Sequence, residues 1–79
     1  MRVSIVGIYV TEQKSAPELN AVLHEYYCFV EGRFGLPKVK EGLNVITLVF
    51  QAPKHEIEEM VEKLNAIKGV KAEAHYEFE

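Results

Sequence analysis

Two side chains in the first third of the sequence have the types and the spacing of a metal-ligand pair. His24 and Cys28 stand four residues apart, so one turn of a helix would place the imidazole and the thiol on the same side. The other histidines, His55 and His75, are isolated, and no second close pair completes a site within one chain. A metal held by His24 and Cys28 therefore needs further ligands from another copy of the chain, and a metal-binding module is one function that the sequence leaves open.

The same thiol would act as a nucleophile only if a histidine activated it. Nothing in the sequence orients His24 or His75 toward Cys28. Ser15 has the position of a helix cap and Ser4 lies in a predicted strand, so neither serine belongs to a nucleophile and base arrangement. The sequence therefore predicts no catalytic residues, no enzymatic activity and no resident cofactor.

Arg33 is one of only two arginines, and a guanidinium can hold a carboxylate or a phosphate. Gly32 and Gly35 flank it, and glycines in an edge strand mark a bulge or a close approach of the backbone. The segment is either a bent edge strand that ends in a turn or a ligand-binding segment. In the second interpretation Arg33, Gly32 and Gly35 bind a small-molecule effector in a cleft between chains.

Composition excludes several classes of function. The 79 residues suffice for one small domain, residues 1–79, and nine basic against twelve acidic side chains give a net charge of −3. A nucleic-acid-binding surface would shift that balance the other way, so direct binding to nucleic acid is not expected. No apolar stretch reaches the 18–20 residues or so that a bilayer requires. The single cysteine cannot form an internal disulfide, which favours a cytoplasmic location.

Hydrophobic periodicity predicts six elements in the order strand, helix, strand, strand, helix, strand. The predicted strands cover residues 2–11, 28–36, 43–51 and 70–78. Ser15 and Glu18 have the spacing of a capping box at the start of the first helix, which the apolar stripe continues to about Tyr27. Pro37 is expected to end the second strand, and Gly69 is expected to stop the second helix.

Two strand–helix crossovers around a central hairpin are typical of the ferredoxin-like βαββαβ fold. The sequence thus predicts an α+β domain in which one four-stranded antiparallel sheet carries both helices on one face. The first and third strands are apolar on both sides, which places them in the middle of the sheet.

Because both helices cover the same face, the other face must meet water or another chain. The pattern leaves two apolar sets as candidates for that uncovered face, namely Val6, Ile8 and Val10 on the first strand and Val45, Thr47 and Val49 on the third. A domain of this size is too small to leave such an apolar patch exposed to solvent. We therefore expect a homodimer through sheet faces, or a tetramer in which dimers join through strand edges.

Three segments of the sequence resemble those of a known family. Residues 32–37 (GRFGLP), 41–49 (EGLNVITLV) and 64–71 (LNAIKGVK) are similar to segments of the small proteins described as iron-only hydrogenase system regulators. Those proteins are ACT-like and similar to the ligand-sensing C-terminal domain of nickel-responsive repressors. The resemblance implies a ferredoxin-like regulatory domain that assembles through its sheets. The repressors' His-X-His motif and nearby cysteine have no counterpart in residues 34–44, so their nickel site is not carried over.

Taken together, the sequence favours a non-enzymatic regulatory or ligand-sensing domain that acts as a homo-oligomer. Its expected partners are further copies of itself and a small-molecule effector, without a membrane or nucleic acid. Two alternatives stay open. One is the metal-binding module that uses His24 and Cys28, and the other is an adaptor that binds only another protein.

Overall fold

The computed structural model describes residues 1–77, which form four strands and two α-helices. The elements are β1 (Arg2–Val10), α1 (Ala16–Glu25), β2 (Val30–Lys40), β3 (Leu43–Ala52), α2 (Lys54–Asn65) and β4 (Val70–Tyr76). This order confirms the predicted ferredoxin-like βαββαβ fold. Phe78, which the alternation of the last strand predicts to point inward, lies outside the described residues. Neither α-helix in residues 1–77 has the length and apolar character of a membrane span.

The four strands form one antiparallel sheet in the order β2-β3-β1-β4. The two strands that are apolar on both sides, β1 and β3, are central, as predicted. The register places Val6 of β1 between Leu48 of β3 and Ala74 of β4. Residues that are directly opposite in a sheet share a face, so this row identifies the side of the sheet that the helices cover.

The hydrophobic core lies between that side of the sheet and the two helices. Leu19 and Leu23 of α1 and Ile57, Met60 and Leu64 of α2 are buried at helical spacing. The sheet contributes side chains from alternate positions of its strands, and the most buried are Val6, Ile8, Leu48, Phe50 and Ala52. One face of the sheet is therefore covered, and we call the other the open face.

The structure corrects one of the two predicted interface sets. Val6, Ile8 and Val10 are 0%, 0% and 4% exposed because they point into the core, so they cannot line an interface on the open face. β1 instead presents Ile5 and Tyr9 there, each about half exposed. The alternation of β1 could not distinguish the two faces, since both are apolar, and only the packing of the helices makes the choice.

Strand β2 is longer than predicted and runs through Pro37 to Lys40. A proline is tolerated here because β2 is an edge strand, whose outward positions need no N–H donor. The pairing with β3 is irregular between Leu36 and Lys40, where Lys38 has a φ of 54° and its N–H donates to Asn44 Oδ1 at 2.8 Å. The connection between β2 and β3 is thus a tight two-residue turn, Glu41 and Gly42.

The predicted cap of α1 is also corrected. The helix begins after Ser15, as expected, but the Ser15 hydroxyl caps no N–H of the helix. It donates instead to the carbonyl oxygen of Lys68 at 2.7 Å, which ties the start of α1 to the connection between α2 and β4. The helix ends at Glu25 rather than near Tyr27, and a 3₁₀ turn, Tyr27–Phe29, follows.

Gly69 belongs to the same junction and does not stop α2, which ends four residues earlier at Asn65. Its φ is 77°, and its carbonyl oxygen accepts a hydrogen bond from the Thr11 N–H at 2.8 Å. A Cβ added to Gly69 would lie 2.5 Å from the Cβ of Glu12. The glycine therefore lets the two crossover connections pass each other closely.

Candidate functional site

A groove lies beside α1 on the helix-bearing side of the sheet. The edge strand β2 is almost entirely exposed, so the helices leave its helix-bearing side uncovered as well. The space between α1 and β2 has a volume of about 440 Å³. We call it the α1–β2 groove, and its lining residues are Asn20, Leu23, His24, Tyr27, Val30, Arg33 and Leu48.

The floor of the groove is apolar and its rim is polar. Leu23 and Leu48 are 5% and 1% exposed and belong to the core, and Val30 beside them is half-buried. Asn20 and His24 lie one helical turn apart on α1, so both side chains stand on the same edge of the helix. An apolar floor with a few polar groups at its edge is typical of small-molecule sites.

Arg33 faces the groove because of its register in the sheet. It lies directly opposite Leu48, which points into the core, so the guanidinium is on the helix-bearing side. A second depression of about 340 Å³, toward the start of α1, is also lined by Arg33 and Asn20. These two residues therefore occupy the middle of a longer channel that follows α1.

The polar side chains of the groove have no partner of their own. Within residues 1–77, Arg33, Asn20 and His24 make no side-chain hydrogen bond and no ion pair. The His24 ring stacks on Tyr27, with ring centroids 6.1 Å apart and planes 12° from parallel. Donors that meet no protein acceptor are free to bind a ligand.

The structure separates the two glycines that the sequence groups with Arg33. Gly35 pairs with Ile46 and lies on the same side of the sheet as Arg33, whereas Gly32 pairs with Val49 and lies on the open face. A Cβ added to either glycine would meet nothing within 4 Å, so neither marks a close approach of the backbone. Of the three predicted ligand-binding residues, Arg33 is the one that lines the α1–β2 groove.

His24 and Cys28 do not lie on one continuous helix. His24 is in the last turn of α1, but Cys28 lies in the following 3₁₀ turn and is exposed. His24 lines the groove, and Cys28 is not among its lining residues. In the described part of the chain no three His, Cys, Asp or Glu side chains are grouped as metal ligands.

The open face carries three rows of residues across the four strands. In the order β2, β3, β1 and β4 the rows are Leu36, Val45, Tyr9 and Lys71; Phe34, Thr47, Gly7 and Glu73; and Gly32, Val49, Ile5 and His75. The predicted set Val45, Thr47 and Val49 is therefore on the open face. The most exposed apolar residues of the open face were in neither predicted set; they are Ile5, Tyr9, Phe34 and Leu36, at 51%, 52%, 62% and 47% exposure.

A small charged network joins the ends of the two helices away from the groove. The Tyr26 hydroxyl donates to Glu59 Oε1 at 2.6 Å, and Lys63 Nζ lies 3.2 Å from Glu25 Oε2 and 3.6 Å from Glu59 Oε1. Burial raises the pKa of Tyr26, while the hydrogen bond from Tyr26 holds the pKa of the Glu59 carboxyl below its usual range. Because the network joins α1 to α2, we assign it a structural role.

The fold and the groove together define a small ferredoxin-like α+β domain with a ligand-sized depression beside α1. Residues 2–74 match the model of the TM1266-like family, described as "Iron-only hydrogenase system regulator, putative". The match covers nearly the whole chain, so the chain belongs to this family.

Solved structures show the same fold. The chain is similar to the uncharacterized protein TM1266 from Thermotoga maritima, with 27% sequence identity, coverage of 96% of each chain and a TM-score of 0.90. It is also similar to a formyltetrahydrofolate deformylase from Pseudomonas putida KT2440, with 16% identity and a TM-score of 0.65. That alignment covers 92% of this chain but 28% of the deformylase, and it shows a shared fold alone. No curated protein matches the sequence.

Proposed function

We propose that this chain is a non-enzymatic regulatory domain that works as a homodimer, in which two copies pack through their open faces. The observation that carries this proposal is the exposure of large apolar side chains on the open face, where Phe34 is 62% and Tyr9 is 52% exposed. Contiguous apolar patches rimmed by polar residues mark interaction surfaces. The family description supports the regulatory part, because it assigns these proteins to an iron-only hydrogenase system.

The size of the open face fits a small dimer interface. Four strands at a spacing of about 4.8 Å and about seven residues at a rise of about 3.3 Å give a face of roughly 440 Å². The side chains that stand above the face increase its accessible area. Specific interfaces begin at about 600 Å² per partner, which exceeds this flat area, so the whole face and the side chains that protrude from it must take part.

The layout of the face suits a second copy of the same chain. Apolar residues occupy the two central strands, while β4 contributes Lys71, Glu73 and His75, with His75 Nε2 3.3 Å from Glu73 Oε1. A rim that carries both signs of charge can meet its own copy without net repulsion. Gly7 leaves a gap in the centre, where an added Cβ would meet nothing within 4 Å, and a partner's aromatic ring can fill it.

The test introduces one charge into the open face. Ile5→Glu places a carboxylate at a position that is 51% exposed in a single copy, so the domain can fold but two faces cannot close over it. Size-exclusion chromatography with light scattering at micromolar concentration should give twice 9.0 kDa for the native chain and 9.0 kDa for the variant, with unchanged far-UV circular dichroism.

Ala21→Glu is the matched control, because Ala21 is exposed on α1, outside both the open face and the groove. This variant should remain a dimer. A native chain that is monomeric at micromolar concentration, or an Ile5→Glu variant that stays dimeric, would overturn the proposal.

A further inference from the structure

We propose that the α1–β2 groove binds a small monocarboxylate with an apolar body, whose carboxylate is held by Arg33 and Asn20. The inference deepens the proposed regulatory function, because it names the class of effector. Binding itself does not require the dimer, since the groove and the open face lie on opposite sides of the sheet.

Charge and hydrogen bonding select an anion. The Arg33 guanidinium is a permanent cation with no ion-pair partner within residues 1–77, although the chain as a whole carries a net charge of −3. In an acidic protein an unpaired arginine over an apolar pocket is a local exception. A guanidinium donates two parallel N–H bonds to the two oxygens of a carboxylate, and the Asn20 amide can donate a third.

The charge of the channel lining favours a carboxylate over a phosphate. Beside the Asn20 amide and the His24 imidazole the channel offers one permanent cation, Arg33, which matches a monoanion, whereas a phosphate group carries a larger charge on three terminal oxygens. Among residues 1–77 no Lys side chain lines either part of the channel. The acceptor that fits this donor set is a carboxylate.

The apolar floor determines the rest of the ligand. Leu23, Val30 and Leu48 lie next to Arg33, so a ligand anchored by its carboxylate would lay a hydrocarbon body on them. The Tyr27 ring, stacked on His24, provides an aromatic wall. Among the described residues no Asp or Glu lines the channel, so an amino acid's ammonium group would find no acidic partner. This favours simple aliphatic or aromatic acids over zwitterions.

Binding can be measured by amide NMR titration with matched probes. Phenylacetate carries the charge and the apolar body, phenylacetamide keeps the body without the charge, and inorganic phosphate supplies a charge without the body. At millimolar concentration phenylacetate should shift the amides of Asn20, Leu23 and Arg33. Phenylacetamide should bind at least about tenfold more weakly, because it loses the charge-assisted hydrogen bonds.

Arg33→Gln should weaken phenylacetate binding at least about tenfold and bring its affinity close to that of phenylacetamide. The matched control is Arg2→Gln, because Arg2 is the other arginine and lies against Tyr76, away from the groove. This control should bind like the native chain. The Ile5→Glu monomer should also bind phenylacetate, and that result would support the inference even if the native chain proved monomeric.

Three outcomes would overturn the inference. The first is the absence of shifts at the groove amides with phenylacetate and with hexanoate. The second is equal binding of phenylacetate and phenylacetamide, or undiminished binding in Arg33→Gln. The third is a stronger response of the same amides to phosphate than to phenylacetate. None of these results depends on whether the open faces form a dimer, so failure here is distinct from failure of the proposed assembly.

Discussion

Tyr26, directly after the end of α1, contacts two residues of α2, Glu59 and Lys63. Its ring is 4% exposed, its hydroxyl donates to Glu59, and the Lys63 ammonium lies 5.3 Å from the ring centroid. One side chain thus combines a buried apolar surface, a hydrogen bond to a carboxylate and a cation–π contact. A substitution of Tyr26 therefore affects contacts with both Glu59 and Lys63 of α2.

Tyr26→Phe should lower the thermal unfolding midpoint by a few degrees at neutral pH, because the hydrogen bond to Glu59 is lost while the ring is kept. The lowered pKa of Glu59 means that its carboxylate stabilises the folded state above the ordinary glutamate pKa of about 4. This contribution is lost as the pH falls through the lower, folded-state pKa. The difference between the two proteins should therefore shrink below about pH 4, as followed by circular dichroism.

Tyr27→Phe is the control for this experiment, because Tyr27 is 71% exposed and its hydroxyl has no bond within residues 1–77. Its midpoint should follow that of the native chain at every pH. An equal deficit of Tyr26→Phe at pH 7 and at pH 3 would contradict the assigned role of Glu59.

At the scale of elements, the junction of the two crossovers depends on Gly69. Alanine at this position combines a left-handed backbone with a Cβ 2.5 Å from that of Glu12. Gly42 has nearly the same φ, 75°, but open space around it. We expect Gly42→Ala to lower the free energy of unfolding by about 1–2 kcal/mol because of backbone strain. Gly69→Ala should lower it by roughly 1–3 kcal/mol more because of the clash with Glu12. Urea denaturation measures both losses of stability. Equal losses in the two variants would contradict a steric requirement for glycine at position 69.

Elements with a clear hydrophobic period were predictable from the sequence. Which side of a strand points into the core was less predictable where both sides are apolar. The helical stripe through Leu23 and the alternation of β4 each indicate one structure, because a single period places all apolar residues on one side. β1 has apolar residues on both sides, so its inward set is decided only when the helices pack. The end of β2 was mispredicted, because an edge strand can continue through a proline.

The candidate site was also only partly predictable from the sequence. Arg33 stood out in the sequence as a rare residue type between glycines. Its neighbour Asn20 carried no such signal, because their proximity depends on how α1 crosses the sheet. The metal-ligand spacing of His24 and Cys28 assumed a helix that continues to residue 28, whereas α1 ends at Glu25. Spacing implies proximity only while the element that carries it persists.

At the scale of the molecule, the single core and the open face predict how the protein unfolds. If two copies share the open face, unfolding is coupled to dissociation, and the thermal midpoint must rise with protein concentration. We expect a rise of several degrees between micromolar and near-millimolar native chain, and none for Ile5→Glu. Scanning calorimetry over that range measures it, and a midpoint independent of concentration in the native chain would contradict a dimer.

The central position of β1 also affects the order in which the protein can fold during its synthesis. β1 pairs with β3 on one side and with β4 on the other, and Val10 pairs with Val70, about 60 residues later in the chain. At a translation rate of about 5–20 residues per second, β1 waits roughly 3–12 s for β4 after it has been made. During that interval a strand that is apolar on both faces has no complete set of partners. The pairing of β1 can therefore be completed only after β4 has been synthesised.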